Sequence, residues 1–89
     1  MAKSYITDNT ATNVDTGKIR KAVIQVNAAL TGSIKVIDGI DGTTANVATI
    51  TNPTVGSRYE YWDFVTGVRV IASGTCDITV NTDGSFGPK

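Results

Sequence analysis

The sequence predicts an all-β domain: a small antiparallel β-sandwich or barrel of six to seven strands behind a polar N-terminal arm. Three observations predict it. The chain has 89 residues, enough for one domain. Its composition is rich in Thr (14 residues), Val and Ile, whereas Glu60 and Leu30 are each the sole residue of their type. That balance fits pleated, half-buried surfaces and lacks the straight-chain helix formers. Short apolar runs also alternate with Gly-containing turn signals from residue 18 onward, the spacing of a sandwich or small barrel.

Residues 1–17 are polar and rich in Thr and Asn. They hold too few apolar side chains to form core alone, so they read as a loose terminus or as an arm that orders on a neighbour. In the second case Tyr5, Ile6 and Val14 are the anchors, and truncation of this segment should weaken binding while leaving the fold intact. The remainder, 18–89, reads as one β domain.

Within it the runs are 21–30, 33–38, 46–51, 57–64, 68–72 and 76–81. The breaks are Thr31-Gly32, Asp38-Gly39 with Asp41-Gly42, Asn52-Pro53 with Gly56, Thr66-Gly67, Ser73-Gly74 and Asp83-Gly84. Such pairs supply the positive φ of tight hairpins. Residues 18–30 admit two readings, since Ile19, Val23, Val26 and Leu30 also share a helical face. Lys18, Arg20 and Lys21 would crowd the positive end of that helix, and Val23, Ile24 and Val26 are β-branched. The strand reading is preferred, with Ala22, Ile24, Val26, Ala28 and Leu30 on one face.

Several runs are apolar on both faces. Ile37 opposes Ile34 and Val36, and Ile71 opposes Val68, Val70 and Ala72. In the aromatic run, Tyr59 and Tyr61 oppose Trp62 and Phe64. A half-buried sheet has one polar face, and a chain this short covers few strands on both sides. The second face is therefore expected to meet another chain. The candidate interface residues are Tyr59, Tyr61, Trp62, Phe64, Ile71 and Ile37, with the aromatic strand contributing the strongest anchors.

Catalytic and metal chemistry finds little purchase. The chain has no histidine and one cysteine, which removes serine and cysteine triads, disulfides within the chain and closed zinc sites. Glu60 and Asp63 are odd-spaced on a strand and so point to opposite faces, unlike a glycosidase pair. Asp38 and Asp41 fall in a turn without the ligand spacing of a calcium loop. Cys76 heads an alternating run with Ile78 and Val80 and reads as an inert buried thiol. Neither catalytic residues nor metal ligands nor cofactors are expected. Net charge is zero, which argues against a dedicated nucleic-acid or membrane-surface partner. The single basic cluster, Lys18-Ile19-Arg20-Lys21, reads as a solvated strand edge.

Across residues 34–80, the stretches Gly-Ser-Ile-Lys-Val-Ile-Asp-Gly, Val-Ala-Thr-Ile-Thr-Asn-Pro-Thr-Val-Gly-Ser-Arg-Tyr-Glu-Tyr-Trp and Cys-Asp-Ile-Thr-Val resemble small structural proteins of tailed phages. The resemblance is one of style, a Thr/Gly-rich β-meander, and carries over no functional residue. It is to capsid decoration (cement) proteins first, and then to head-fibre or tail accessory subunits. It implies a homo-oligomer, often a trimer, seated on a major capsid protein or other virion proteins. The opening residues contain no apolar run of signal-peptide length, so the expectation is synthesis in the host cytoplasm and residence in the virion. The rival expectation is a carbohydrate-binding or adhesin-type module that stacks sugars on Tyr59, Tyr61 or Trp62.

Overall fold

The structure, a computed structural model, describes residues 2–28, 30–42 and 46–83. Eight strands form: β1 (Ala2–Ile6), β2 (Thr12–Thr16), β3 (Ile19–Val26), β4 (Ser33–Asp38), β5 (Asn46–Thr51), β6 (Arg58–Phe64), β7 (Gly67–Ala72) and β8 (Ile78–Asp83). They build two four-stranded antiparallel sheets, ordered β1-β8-β3-β6 and β2-β7-β4-β5. A single rule generates both. β1 pairs with β8, β2 with β7, β3 with β6 and β4 with β5. The chain is thus one long hairpin, bent between β4 and β5 and wound up, with β3–β8 and β4–β7 ladders sealing the winding. That connectivity is a jelly roll, two Greek keys in two sheets. The protein is all-β, as expected, but eight strands lie among the described residues and the sheets do not close into a barrel.

The two additional strands come from the expected arm. Residues 2–16 supply one edge strand to each sheet. Ile6 and Val14, taken as anchors for a neighbour, are buried in this chain's own core. Val14 faces inward by alternation with Thr12, which pairs with buried Val70. The register against β7 then slips between Asn13 and Asp15, and this bulge turns Asp15 inward as well, where its carboxylate accepts from the Thr82 hydroxyl at 2.8 Å. An edge strand needs only one or two inward side chains, which is why so polar a segment can belong to the domain. Asp83 ends β8, whereas Gly84 of the expected Asp83-Gly84 break and the close of the domain at residue 89 lie outside the described residues.

Residues 19–26 are strand. Ala22, Ile24 and Val26 are fully buried on the face toward the opposite sheet, joined there by Ile34, Val36, Val68, Val70, Ile78 and Val80. The strand ends at Val26, and Ala28 is exposed. Leu30 lies in the following loop, 6 % exposed, with its N–H donating to the Pro53 carbonyl. The last run likewise starts at Ile78, two residues after Cys76.

Most turn signals do not make hairpins. Among the described strands, only β4 and β5 are consecutive in sequence and paired; every other connection carries the chain from one sheet to the other. The meander expected from the turn pairs is therefore replaced by corners. Gly17, at φ 88°, turns the two-residue corner between β2 and β3. Gly67 serves close approach, since a Cβ there would meet the Asp15 carbonyl oxygen at 2.7 Å.

Asp38 fastens one corner to the next. Its carboxylate accepts the backbone N–H groups of Val65, Thr66 and Gly67, the shortest at 2.8 Å. Partial burial pushes its carboxyl up, but these three donors outweigh that and hold it below the usual aspartate value. The stabilisation is therefore complete above the unfolded carboxylate pKa of about 4 and is lost as pH falls through the lower folded value.

Two outcomes follow. Deletion of residues 1–17 removes an edge strand from each sheet and is expected to abolish the cooperative thermal transition, read by circular dichroism. Asp38→Ala should lower stability by about 1–2 kcal/mol at pH 7, a discounted value for a partly exposed charge-assisted site. Its stability should also fall less steeply than wild type between about pH 5 and pH 2, which denaturant melts across that range will show.

Candidate protein interface

The outer face of the β1-β8-β3-β6 sheet carries the exposed aromatic side chains. Pairing aligns its residues in rows. Lys3, Asn81, Val23 and Glu60 form one row, and Tyr5, Thr79, Gln25 and Arg58 a second. Asp83, Lys21 and Trp62 form a third. Tyr5 and Trp62 stand on opposite edge strands at 63 % and 54 % exposure. By strand spacing and rise, they are about 20 Å apart across the diagonal.

Between them runs a charged lattice. Lys21 Nζ lies 3.0 Å from Glu60 Oε1 and 4.7 Å from the centre of the Trp62 ring, a cation–π contact. Arg58 Nε meets the other Glu60 oxygen at 3.4 Å, and Arg20 pairs with Asp83 at 3.0 Å. The hydrogen bond and charge of Lys21, with help from Arg58, hold the Glu60 carboxyl below its usual range. At the far edge, hydrogen bonding to the Asp77 carboxylate raises Tyr5, assisted by burial and by the Asp77 charge. An exposed aromatic held by a neighbouring cation loses little entropy on docking, the property of an interface anchor.

The aromatic strand divides differently from simple alternation. Tyr59 and Tyr61 are half-buried and pack on the core. Trp62 faces outward, but Phe64 is 1 % exposed and inside. The pattern breaks at Asp63, whose φ of 64° lies in the left-handed region. Two successive residues, Trp62 and Asp63, are exposed, and Phe64 returns to the inner face opposite Ile19. Phe64 is therefore core, not interface. The break also removes the parity argument that set Glu60 and Asp63 on opposite faces. What argues against an acid–base pair here is that both Glu60 oxygens are engaged by cations, Lys21 at 3.0 Å and Arg58 at 3.4 Å.

Ile37 is not an interface residue either. It lies on the outer face beside Arg69 yet has no exposed surface. The following turn folds back over it. Asn13 Nδ2 donates to the Ile40 carbonyl at 2.8 Å, and Arg69 donates to the carbonyls of Gly42 and Ile40 and to Asn13 Oδ1. The covering for this second apolar face thus comes from the same chain. Ile71 stays half-buried on that face, in a shallow depression with Ser33, Lys35 and Ser73. Of the six predicted interface residues, Trp62 is exposed, Tyr59, Tyr61 and Ile71 are half-buried, and Phe64 and Ile37 are buried. Tyr5, predicted as an arm anchor, joins Trp62 on the same sheet face.

Cys76 is 8 % exposed, with its sulfur 3.5 Å from the Ile6 carbonyl oxygen. Burial, then Asp8 and Asp77, push its thiol up, which disfavours the reactive thiolate. Among the described residues no group of three or more His, Cys, Asp or Glu side chains converges as a metal site. Comparison with family models, curated proteins and solved structures finds no match for this chain.

The two faces of the aromatic strand should separate on mutation. Trp62→Ala removes an exposed ring and should change stability by no more than about 0.5 kcal/mol. Tyr61→Ala removes a ring packed on the core and should lower stability by about 2 kcal/mol. Urea melts of the two variants beside wild type check this ordering.

Proposed function

We propose that this chain is a non-enzymatic structural subunit of a phage particle, of the capsid decoration type. It would reside in the virion as a homo-oligomer and bind a major capsid protein or neighbouring virion subunits, without a cofactor. The observation that carries the reading is the outer face of the β1-β8-β3-β6 sheet. Trp62 and Tyr5 stand there as exposed anchors among ion pairs, the composition of a docking surface with aromatic hot spots and a polar surround. The resemblance of residues 34–80 to tailed-phage structural proteins supports it, as does a fold that hosts capsid domains. Fold alone does not choose a function, since jelly rolls also serve as lectins.

A carbohydrate-binding reading has one observation in its favour: both exposed rings lie on the same polar sheet face. Sugar stacking would then fall to Trp62 and Tyr5 rather than to Tyr59 and Tyr61, which pack inward.

The test is co-sedimentation of the purified chain with phage capsid shells, and separately with insoluble polysaccharides. Shell binding is expected, weakened about 30-fold by Trp62→Ala, equivalent to roughly 2 kcal/mol. Saturable retention on polysaccharide without shell binding would replace the virion reading with the lectin one.

A further inference from the structure

Among the described residues the sandwich leaves four edge strands, β1, β2, β5 and β6. Three are blunted against pairing with another chain. β1 carries Lys3, and β2 carries Asp15 and the bulge at Val14. β6 carries Arg58, Glu60 and Asp63, with the left-handed backbone of Asp63 interrupting its far end. Charges, bulges and twisted backbone are the usual devices that keep an edge single.

β5 differs. Its sequence, Asn46-Val47-Ala48-Thr49-Ile50-Thr51, has no charge and no proline, and four of its six residues are β-branched. It does have a bulge, because the register against β4 slips between Val36 and Ile37 and leaves Val47 as the extra residue. The bulge sits near the start, and Ala48–Thr51 pair regularly with β4. Thr49 and Thr51 are exposed and Val47 is 44 % exposed, while Ala48 and Ile50 turn toward the core. An uncharged, regular edge of this kind is a template for strand addition.

We infer that the β5 edge is a self-association surface, pairing antiparallel with β5 of a second copy about a two-fold axis at Thr49. Residues directly opposite in an antiparallel pair share a face. Inward Ala48 must therefore meet inward Ile50 of the copy, and Thr49 must meet Thr49. This register places no charge on either paired strand, so the edge meets its own copy without like-charge repulsion. It joins the β2-β7-β4-β5 sheets of two copies into one sheet of eight strands. Two-fold closure uses up both edges, which gives a dimer and stops further growth. The inference rests on the proposed self-association and names the surface that would carry it; an odd-numbered ring would need a different contact.

Cysteine cross-linking reads the register directly. Across the axis the two Thr49 Cα atoms lie about 4.5–5.5 Å apart, within disulfide range. The two Thr51 Cα atoms, offset by four residues along the strands and by one strand spacing across them, lie about 14 Å apart. In a Cys76→Ser background, Thr49→Cys is expected to form a covalent dimer under mild oxidation, and Thr51→Cys is not. Thr49→Lys places two like charges at the axis and is expected to raise the dimer dissociation constant at least tenfold by light scattering, with native circular dichroism. A wild-type chain that scatters as a monomer throughout the accessible concentration range overturns both the self-association and the edge. An oligomer that ignores Thr49→Lys, with no Thr49→Cys cross-link, overturns the edge and leaves self-association to another surface.

Discussion

Burial of the two inner sheet faces against each other is the constraint on which this structure depends. The core lies between the sheets, and its side chains are mostly β-branched: Ile19, Ile24, Val26, Ile34, Val36, Val68, Val70, Ile78 and Val80. Such side chains fill a two-layer interior well because they are stiff and stand off the pleat. Each sheet turns these side chains toward the other, so neither sheet has a core without its partner layer. Long-range winding follows, since all but one of the connections must cross between layers. The corners then have to be pinned, and the structure does so with short polar contacts. Asp38 binds the β6–β7 corner. At the other end, Asn52 accepts from Gly32 N–H through its side chain and donates its own N–H to the Gly32 carbonyl.

The interior of the sheets was largely legible in the sequence, and the reasons are local. β4 and β5 match the expected runs residue for residue, because Gly32, Gly39, Gly42 and Pro53 bracket them. β3 was readable as strand from its β-branched residues and from charges that a helix start would not favour. The first two strands were not legible. Ile6 and Val14 are single apolar residues among Thr, Asn and Asp, and a two-residue pattern cannot announce a strand. Their strand character comes from the ladder offered by β8 and β7, a tertiary effect with no local signature.

The site was legible in type but only partly in placement. Alternation identified a two-sided aromatic strand and placed Trp62 opposite Tyr59 and Tyr61. It failed at Phe64 because one residue, Asp63, takes a left-handed conformation that Asp tolerates better than most. No propensity in Tyr-Trp-Asp-Phe marks that break. Ile37 failed for a different reason. Its outward direction was inferred correctly, but the cover is a turn from its own chain, held by Asn13 and Arg69 from strands distant in sequence. An outward apolar residue indicates a covering element, and the sequence does not say whether that element is a partner or a loop.

That distinction alters the case for association. Two-faced strands no longer support it at Ile37, where the second face is already satisfied. The better support comes from how unevenly the edges are protected. Charge and irregular backbone lie on β1, β2 and β6, whereas β5 presents regular, uncharged Ala48–Thr51 beside the turn that covers Ile37. The aromatic face and the β5 edge belong to different sheets, so the proposed docking and the proposed self-association would draw on different strands. In a wound hairpin that separation has a topological cause: β5 and β6 are consecutive in sequence, but the corner between them places the strands in opposite layers.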